Sequence, residues 1–72
     1  MSENTEITFL ISQAKGGDVT AQLTLAGIYD IGLGIAQNID LAAQWYSEAA
    51  KQGSIDAQAR VGEMYLEGIG IK

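Results

Sequence analysis

Glu63 and Glu67 are the nearest thing in this chain to a catalytic pair. They stand one helical turn apart, and two carboxylates at that spacing could hold a cation or divide acid and base roles. A glycosidase-like pair would also need a groove around it, and 72 residues leave little room for one. Ser12, Ser47 and Ser54 are potential nucleophiles, but the chain has no His to activate them, which excludes a Ser-His-Asp triad. With no Cys, thiolate nucleophiles and thiolate zinc sites are excluded as well. Gly32-Leu33-Gly34 and Gly68-Ile69-Gly70 have the look of phosphate-cradling loops. Neither follows a strand, reaches a third glycine or continues into Lys-Ser or Lys-Thr, so tight turns between helices account for them. Trp45, Tyr46, Tyr29 and Tyr65 could stack nucleic-acid bases, yet a net charge of −5 repels the phosphates. We therefore assign no catalytic residue, no cofactor and no metal, and expect a protein that is not an enzyme. The same charge disfavours anionic lipid, so neither nucleic acid nor membrane is an expected partner.

The elements that carry these residues are helices. Asn38 to Gly53 has Ala42, Trp45, Tyr46, Ala49 and Ala50 on one stripe, Asn38 as N-cap, Asp40 in the first turn, Lys51 in the last, and Gly53 to end it. A shorter helix is expected from Val19 to Asp30, capped by Asp18, with the stripe Ala21, Leu25, Ile28 and Tyr29. Ser54 caps a further helix from Ile55 to Leu66 with the stripe Ala57, Val61, Met64 and Tyr65. Ser2 to Lys15 completes a set of four, capped by Ser2 and ended by Gly16-Gly17. Core positions are expected for Trp45, Tyr29 and Tyr65, and for the aliphatic residue between each glycine pair. Gly62 inside a helix costs about 1 kcal/mol relative to alanine, which predicts close approach of a neighbour there and near Gly27. Trp45→Ala is expected to leave the chain largely unfolded.

The four helices are two copies of one unit. Displaced by 36 positions, Ala14 falls on Ala50, Lys15 on Lys51, Gly17 on Gly53, Ala21 on Ala57, Gln22 on Gln58, Tyr29 on Tyr65, Gly32 on Gly68, Gly34 on Gly70 and Ile35 on Ile71. Phe9 falls on Trp45 and Leu25 on Val61. The expected organisation is one all-α domain over residues 1–72. Residues 1–17 form a degenerate first long helix, 18–53 a full repeat and 54–72 a partial one. Short connections favour antiparallel neighbours, and such units stack because one helix pair cannot bury its own face.

The pattern carried by Ala21, Leu25, Ala26, Tyr29, Gly32, Gly34 and Ile35, continued by Ala42, Trp45, Tyr46, Ala49, Ala50 and Gly53, resembles the Sel-one-like repeat, a relative of the tetratricopeptide repeat. Ala57, Val61, Gly62, Tyr65, Gly68, Gly70 and Ile71 begin the next copy. The chain departs from the pattern at Asn38, where aspartate is usual, at Leu41 and Glu48, where lysines are frequent, and at Ala26, where glycine is usual. The resemblance implies a right-handed α–α superhelix whose surfaces bind other proteins or peptides, in a family widespread in bacteria and present in eukaryotes, and a bacterial source is the expectation.

On these grounds the expected function is a protein-interaction module, acting in the cytoplasm since no export signal is read, with a protein or peptide partner of basic character. The alternative is a small acidic inhibitor or immunity-type protein that blocks an enzyme. Candidate contact residues are Tyr46, Glu48, Glu63, Met64, Glu67, Ile69 and Ile71, with Asp30 a further steering charge. The start reads as a true helix beginning and the end as a cut or a socket. The apolar end of the fourth helix predicts homo-oligomerisation, or burial by further chain.

Overall fold

The computed structural model describes residues 5–69. They form four α-helices, α1 Thr5–Lys15, α2 Val19–Ile31, α3 Ile39–Lys51 and α4 Ile55–Glu67, with no strand among the described residues. The expected Ser2 cap and Ile71 lie outside the described residues. The three interior caps form as the side-chain chemistry requires. Asp18 accepts from the Ala21 N–H at 3.0 Å, Asn38 from Leu41 at 3.0 Å and Ser54 from Ala57 at 3.2 Å. Each relieves a first-turn N–H that has no partner within its helix. At the end of α2, Gly32 takes φ 84°, and a Cβ there would sit 3.1 Å from the Gln37 nitrogen. Both backbone strain and space therefore require glycine at this turn.

α2 packs between α1 and α3, and α3 between α2 and α4. The molecule measures 40 × 23 × 16 Å, elongated along the direction in which helices are added. The repeat seen in the residue types recurs in the hydrogen bonds. Gln22 Nε2 donates to the Ala14 carbonyl at 3.0 Å, and Gln58 Nε2 donates to the Ala50 carbonyl at 3.1 Å. The Asp18 N–H reaches the Gln13 carbonyl and the Ser54 N–H the Ala49 carbonyl; Leu33 reaches Ile28 and Ile69 reaches Met64. Each pair is displaced by 36 residues, so identical backbone corners are built twice.

The interior is made of small side chains. Ala14, Ala21, Ala26, Ala42, Ala43, Ala49 and Ala57 are buried, with Leu25 and Met64 the largest residues enclosed. Alanines at these contacts let the helix axes approach closely. Trp45 is half-buried rather than enclosed, and packs with Leu10, Ile11 and Tyr29 around Ala14, Ala21 and Leu25. Truncating Trp45 thus removes only part of a core contact. Trp45→Ala is expected to lower stability by about 2 kcal/mol, roughly half of the full aromatic value, in a thermal melt followed by circular dichroism. The folded state persists, where complete burial would have abolished it.

Several expectations need correction. Tyr65 is 62% exposed, because no described element lies against it, whereas its repeat-mate Tyr29 has α1 and the loop after α2 beside it. Phe9 occupies the Trp45 position on α1 but is exposed. Leu33 points outward, and Ile35 turns inward beside Ile7, Ile11 and Tyr29. Among the described residues nothing lies within 4 Å of where a Gly62 Cβ would stand, so the close approach expected there is not seen among them. Gly27 does have a neighbour, the Tyr46 hydroxyl at 4.0 Å.

Candidate functional site

Three surface features could carry function. The first is the outer stripe of α4. Ile55, Ala59, Gly62 and Leu66 follow at spacings of four, three and four, which aligns them on one helical face, and all four are exposed. Ile55 is 78% exposed and Leu66 89%. One repeat earlier the same positions are Val19, Leu23, Ala26 and Asp30, and none of these is exposed. Ala26 is wholly buried, whereas Gly62 lies open. The difference is α3. It lies against α2 on this side, with Tyr46 near Gly27 and bonded to Asp30. Ile69 borders the open stripe and is itself exposed.

The second feature is a charged cluster that ties three helices together. The Arg60 guanidinium of α4 makes two hydrogen bonds to the Asp30 carboxylate of α2, from Nε to Oδ2 at 3.1 Å and from Nη2 to Oδ1 at 3.2 Å. Tyr46 of α3 donates its hydroxyl to Asp30 Oδ2 at 3.2 Å. Arg60 Nη1 also reaches Glu63 Oε1 at 3.2 Å. This parallel two-bond geometry is the strong form of the ion pair. Asp30 thereby raises the pKa of the guanidinium further, chiefly through its hydrogen bond. Burial, followed by the Asp30 charge and hydrogen bond, raises the Tyr46 phenol above 10.0. Asp30 is therefore neutralised in a structural contact and is not a free steering charge.

The third feature is an open groove of about 800 Å³ between the end of α1 and the flank of α3. Its floor includes Trp45, Ala43 and Ala14. One wall carries Gln44, Ser47, Glu48 and Lys51 on successive turns of α3, and Lys15 stands opposite. Gln22 and Gln52 close one end, joined by a 2.9 Å hydrogen bond from Gln52 Nε2 to Gln22 Oε1. The buried Gln22 amide is thus satisfied on both sides, and no buried side-chain nitrogen or oxygen among the described residues lacks a partner. The identity of Gln22 and Gln58 at one repeat position was the sequence signal for this structural role.

The candidate contact residues are distributed unevenly over these features. Glu63 and Glu67 are exposed on α4 beside the open stripe, and Glu63 shares the Arg60 guanidinium. Glu48 lines the groove and pairs weakly with Lys51 at 3.5 Å. Tyr46 belongs to the charged cluster. Met64 is fully buried and drops out as a surface residue, since its side chain fills the core on the inward side of α4. Among the described residues no group of three or more metal-ligating side chains converges, and no helix is long and apolar enough to cross a membrane.

Antiparallel helix pairs stacked in one register, with the same corners and caps 36 residues apart, define an α-helical repeat protein. The Sel1 repeat family model matches residues 19–54 and again 55–72, and the chain belongs to that family. It is also similar to the crystal structure of a Sel1 repeat protein from Oxalobacter formigenes, with a TM-score of 0.88 and 34% sequence identity. That match covers 100% of this chain and 30% of the other, so the chain spans under a third of that relative's length.

Proposed function

We propose that this Sel1 repeat domain is a non-catalytic protein-interaction module that holds a helical segment of a protein partner on the outer stripe of α4. The observation that carries this reading is the contrast within the molecule: the stripe that α3 covers on α2 is bare on α4. Large apolar side chains left in water on one contiguous face favour association. The small residues Ala59 and Gly62 at its centre would let a partner helix approach closely. Glu63 and Glu67 edge the stripe, so a partner with basic residues along that side gains in association rate more than in affinity.

Further chain of a longer repeat array and a second copy are other occupants of the stripe; of these, stacking α1 of one copy on α4 of the next is disfavoured. Glu6 and Gln13 of α1 stand at the repeat positions of Ala42 and Ala49, which are buried in α3. Burying a carboxylate and an amide there without partners costs several kcal/mol. Homo-oligomers would therefore form by α4 meeting α4.

A photo-crosslinking residue in place of Ala59, introduced in the native cells, tests the proposal. One defined adduct is expected, lost in Leu66→Glu and weakened by salt. No adduct, or the same adducts from a control site at exposed Thr24, would refute it. Light scattering on the purified chain over a concentration series reads self-association separately. Leu66→Glu is expected to return any dimer to monomer.

A further inference from the structure

The molecule has a second surface of different chemistry. We infer that the groove between α1 and α3 binds an acidic peptide segment carrying an apolar side chain. This goes beyond the α4 reading and does not depend on it.

Charge makes the first part of the case. The groove holds Lys15 and Lys51, two of the chain's four cationic side chains, against Glu48, one of its nine carboxylates. A chain of net charge −5 thus turns locally positive at this groove. At physiological salt, exposed charges are screened beyond ~8 Å, so the local sign governs what docks there.

The lysines are also free to act on a ligand. The ordinary role of a lysine at a helix C-terminus is to complement the dipole and cap the last carbonyls. Here the carbonyls of Ser12, Gln13 and Ala14 accept from the N–H groups of Gly16, Gly17 and Asp18, and Ala14 also from Gln22. In α3, Ala49 and Ala50 accept from Gln52, Gly53 and Ser54, and Ala50 also from Gln58. Lys15 makes no ion pair or hydrogen bond among the described residues, and Lys51 has only the long, exposed contact to Glu48.

The remaining lining suits a peptide. The Gln44 amide and Ser47 hydroxyl have no partner among the described residues, and they stand on the same ridge of α3 as Lys51. They offer donors and acceptors to an extended backbone. The half-buried indole of Trp45 offers an apolar surface beside them, and such a ring can take an aliphatic or aromatic side chain. Carboxylates on the peptide would meet Lys15 and Lys51.

Trp45 is the only tryptophan, so its fluorescence reports occupancy of the groove directly. Random dodecapeptides displayed on phage are panned against the immobilised chain, and the survivors are synthesised and titrated. The survivors are expected to be rich in Asp and Glu with at least one large apolar residue, and to shift the Trp45 emission. In Lys15→Glu/Lys51→Glu their affinity falls by at least about tenfold, as for reversal of paired charges, whereas Lys15→Arg/Lys51→Arg retains it. Circular dichroism confirms that both variants fold, which these exposed positions permit. Basic survivors, no survivors, or affinity indifferent to charge reversal would overturn the inference. Survivors lost in Leu66→Glu but not in the lysine variants would overturn it while leaving the α4 proposal standing.

Discussion

Leu25→Ala is expected to destabilise the chain by about 3 kcal/mol, near the lower end of the range for a fully enclosed leucine. Leu25 is 0% exposed and lies where α1, α2 and the Trp45 ring converge. Its neighbours Ala14 and Ala21 cannot extend to fill the void, since alanine has no rotamers to change. At roughly 0.05–0.15 kcal/mol per residue, a chain this small has on the order of 4–11 kcal/mol in all, so the loss is roughly a quarter of it or more. The repeat supplies an internal control. Val61 holds the same position one unit later but is only half-buried. Val61→Ala removes fewer atoms from a site that water already reaches, and about 1 kcal/mol is expected. Denaturant titrations of both variants decide the matter. Equal losses would mean that the two units bury this position alike and that the core is not concentrated on α2.

The same asymmetry explains which features were legible in the residues. Caps and corners depend on local chemistry. Asp18, Asn38 and Ser54 bond N–H groups three residues away, and Gly32 answers to its own φ, so short-range pattern suffices to place them. The 36-residue displacement located α2, α3 and α4 to within a residue or two for the same reason. Side-chain burial depends on what lies across the interface, and repeat-mates share a type without sharing neighbours. Tyr29 and Tyr65 are one residue type at one repeat position, yet one is packed and the other is in water. Phe9 and Trp45 differ in the same way, and so do Ala26 and Gly62.

The interaction surfaces were legible only in part. An open apolar face on α4 was expected along Ala57, Val61, Met64 and Tyr65, but Ala57 and Met64 of that stripe are buried, and the exposed face carries Ile55, Ala59, Gly62 and Leu66, which the periodicity did not single out. Met64 was misplaced among the contacts although it stands on the stripe with Ala57, because one stripe was expected to serve both the core and the open end, whereas the fold turns its Met64 side inward. The charges misled for a different reason. A formal sum treats Asp30 and Glu48 as free, whereas Asp30 is bound by a residue 30 positions away. Such a pairing leaves no periodic trace. The groove that collects Lys15 and Lys51 requires two helices to lie side by side, and the shared lysine position is its single signature in the chain.

Asp30→Ala is expected to cost about 2–3 kcal/mol, close to Leu25→Ala in size but different in origin. The carboxylate is only 18% exposed and the guanidinium 28%, so both have given up much of their water. Removing Asp30 leaves Arg60 with Glu63 alone and strips Tyr46 of its acceptor. Breaking such a pair from one side is worse than removing both partners, because an uncompensated charge remains. Asp30→Ala/Arg60→Met should therefore be more stable than Asp30→Ala, and a double-mutant cycle reads the coupling. Tyr46 gives an independent signal. Its folded pKa is raised above 10.0, first by burial and then by Asp30. The phenol proton is thus held more tightly folded than unfolded. The stability it contributes is complete below about pH 10 and is lost as the pH rises through the folded value. In Asp30→Asn the acceptor loses its charge, so the Tyr46 titration should move down toward the ordinary value. Tyrosinate absorbance, with Tyr46→Phe to identify which of the three tyrosines moves, follows it. A Tyr46 titration indifferent to Asp30, together with a cycle showing no coupling, would mean that α2 and α4 are held by their common packing on α3 alone.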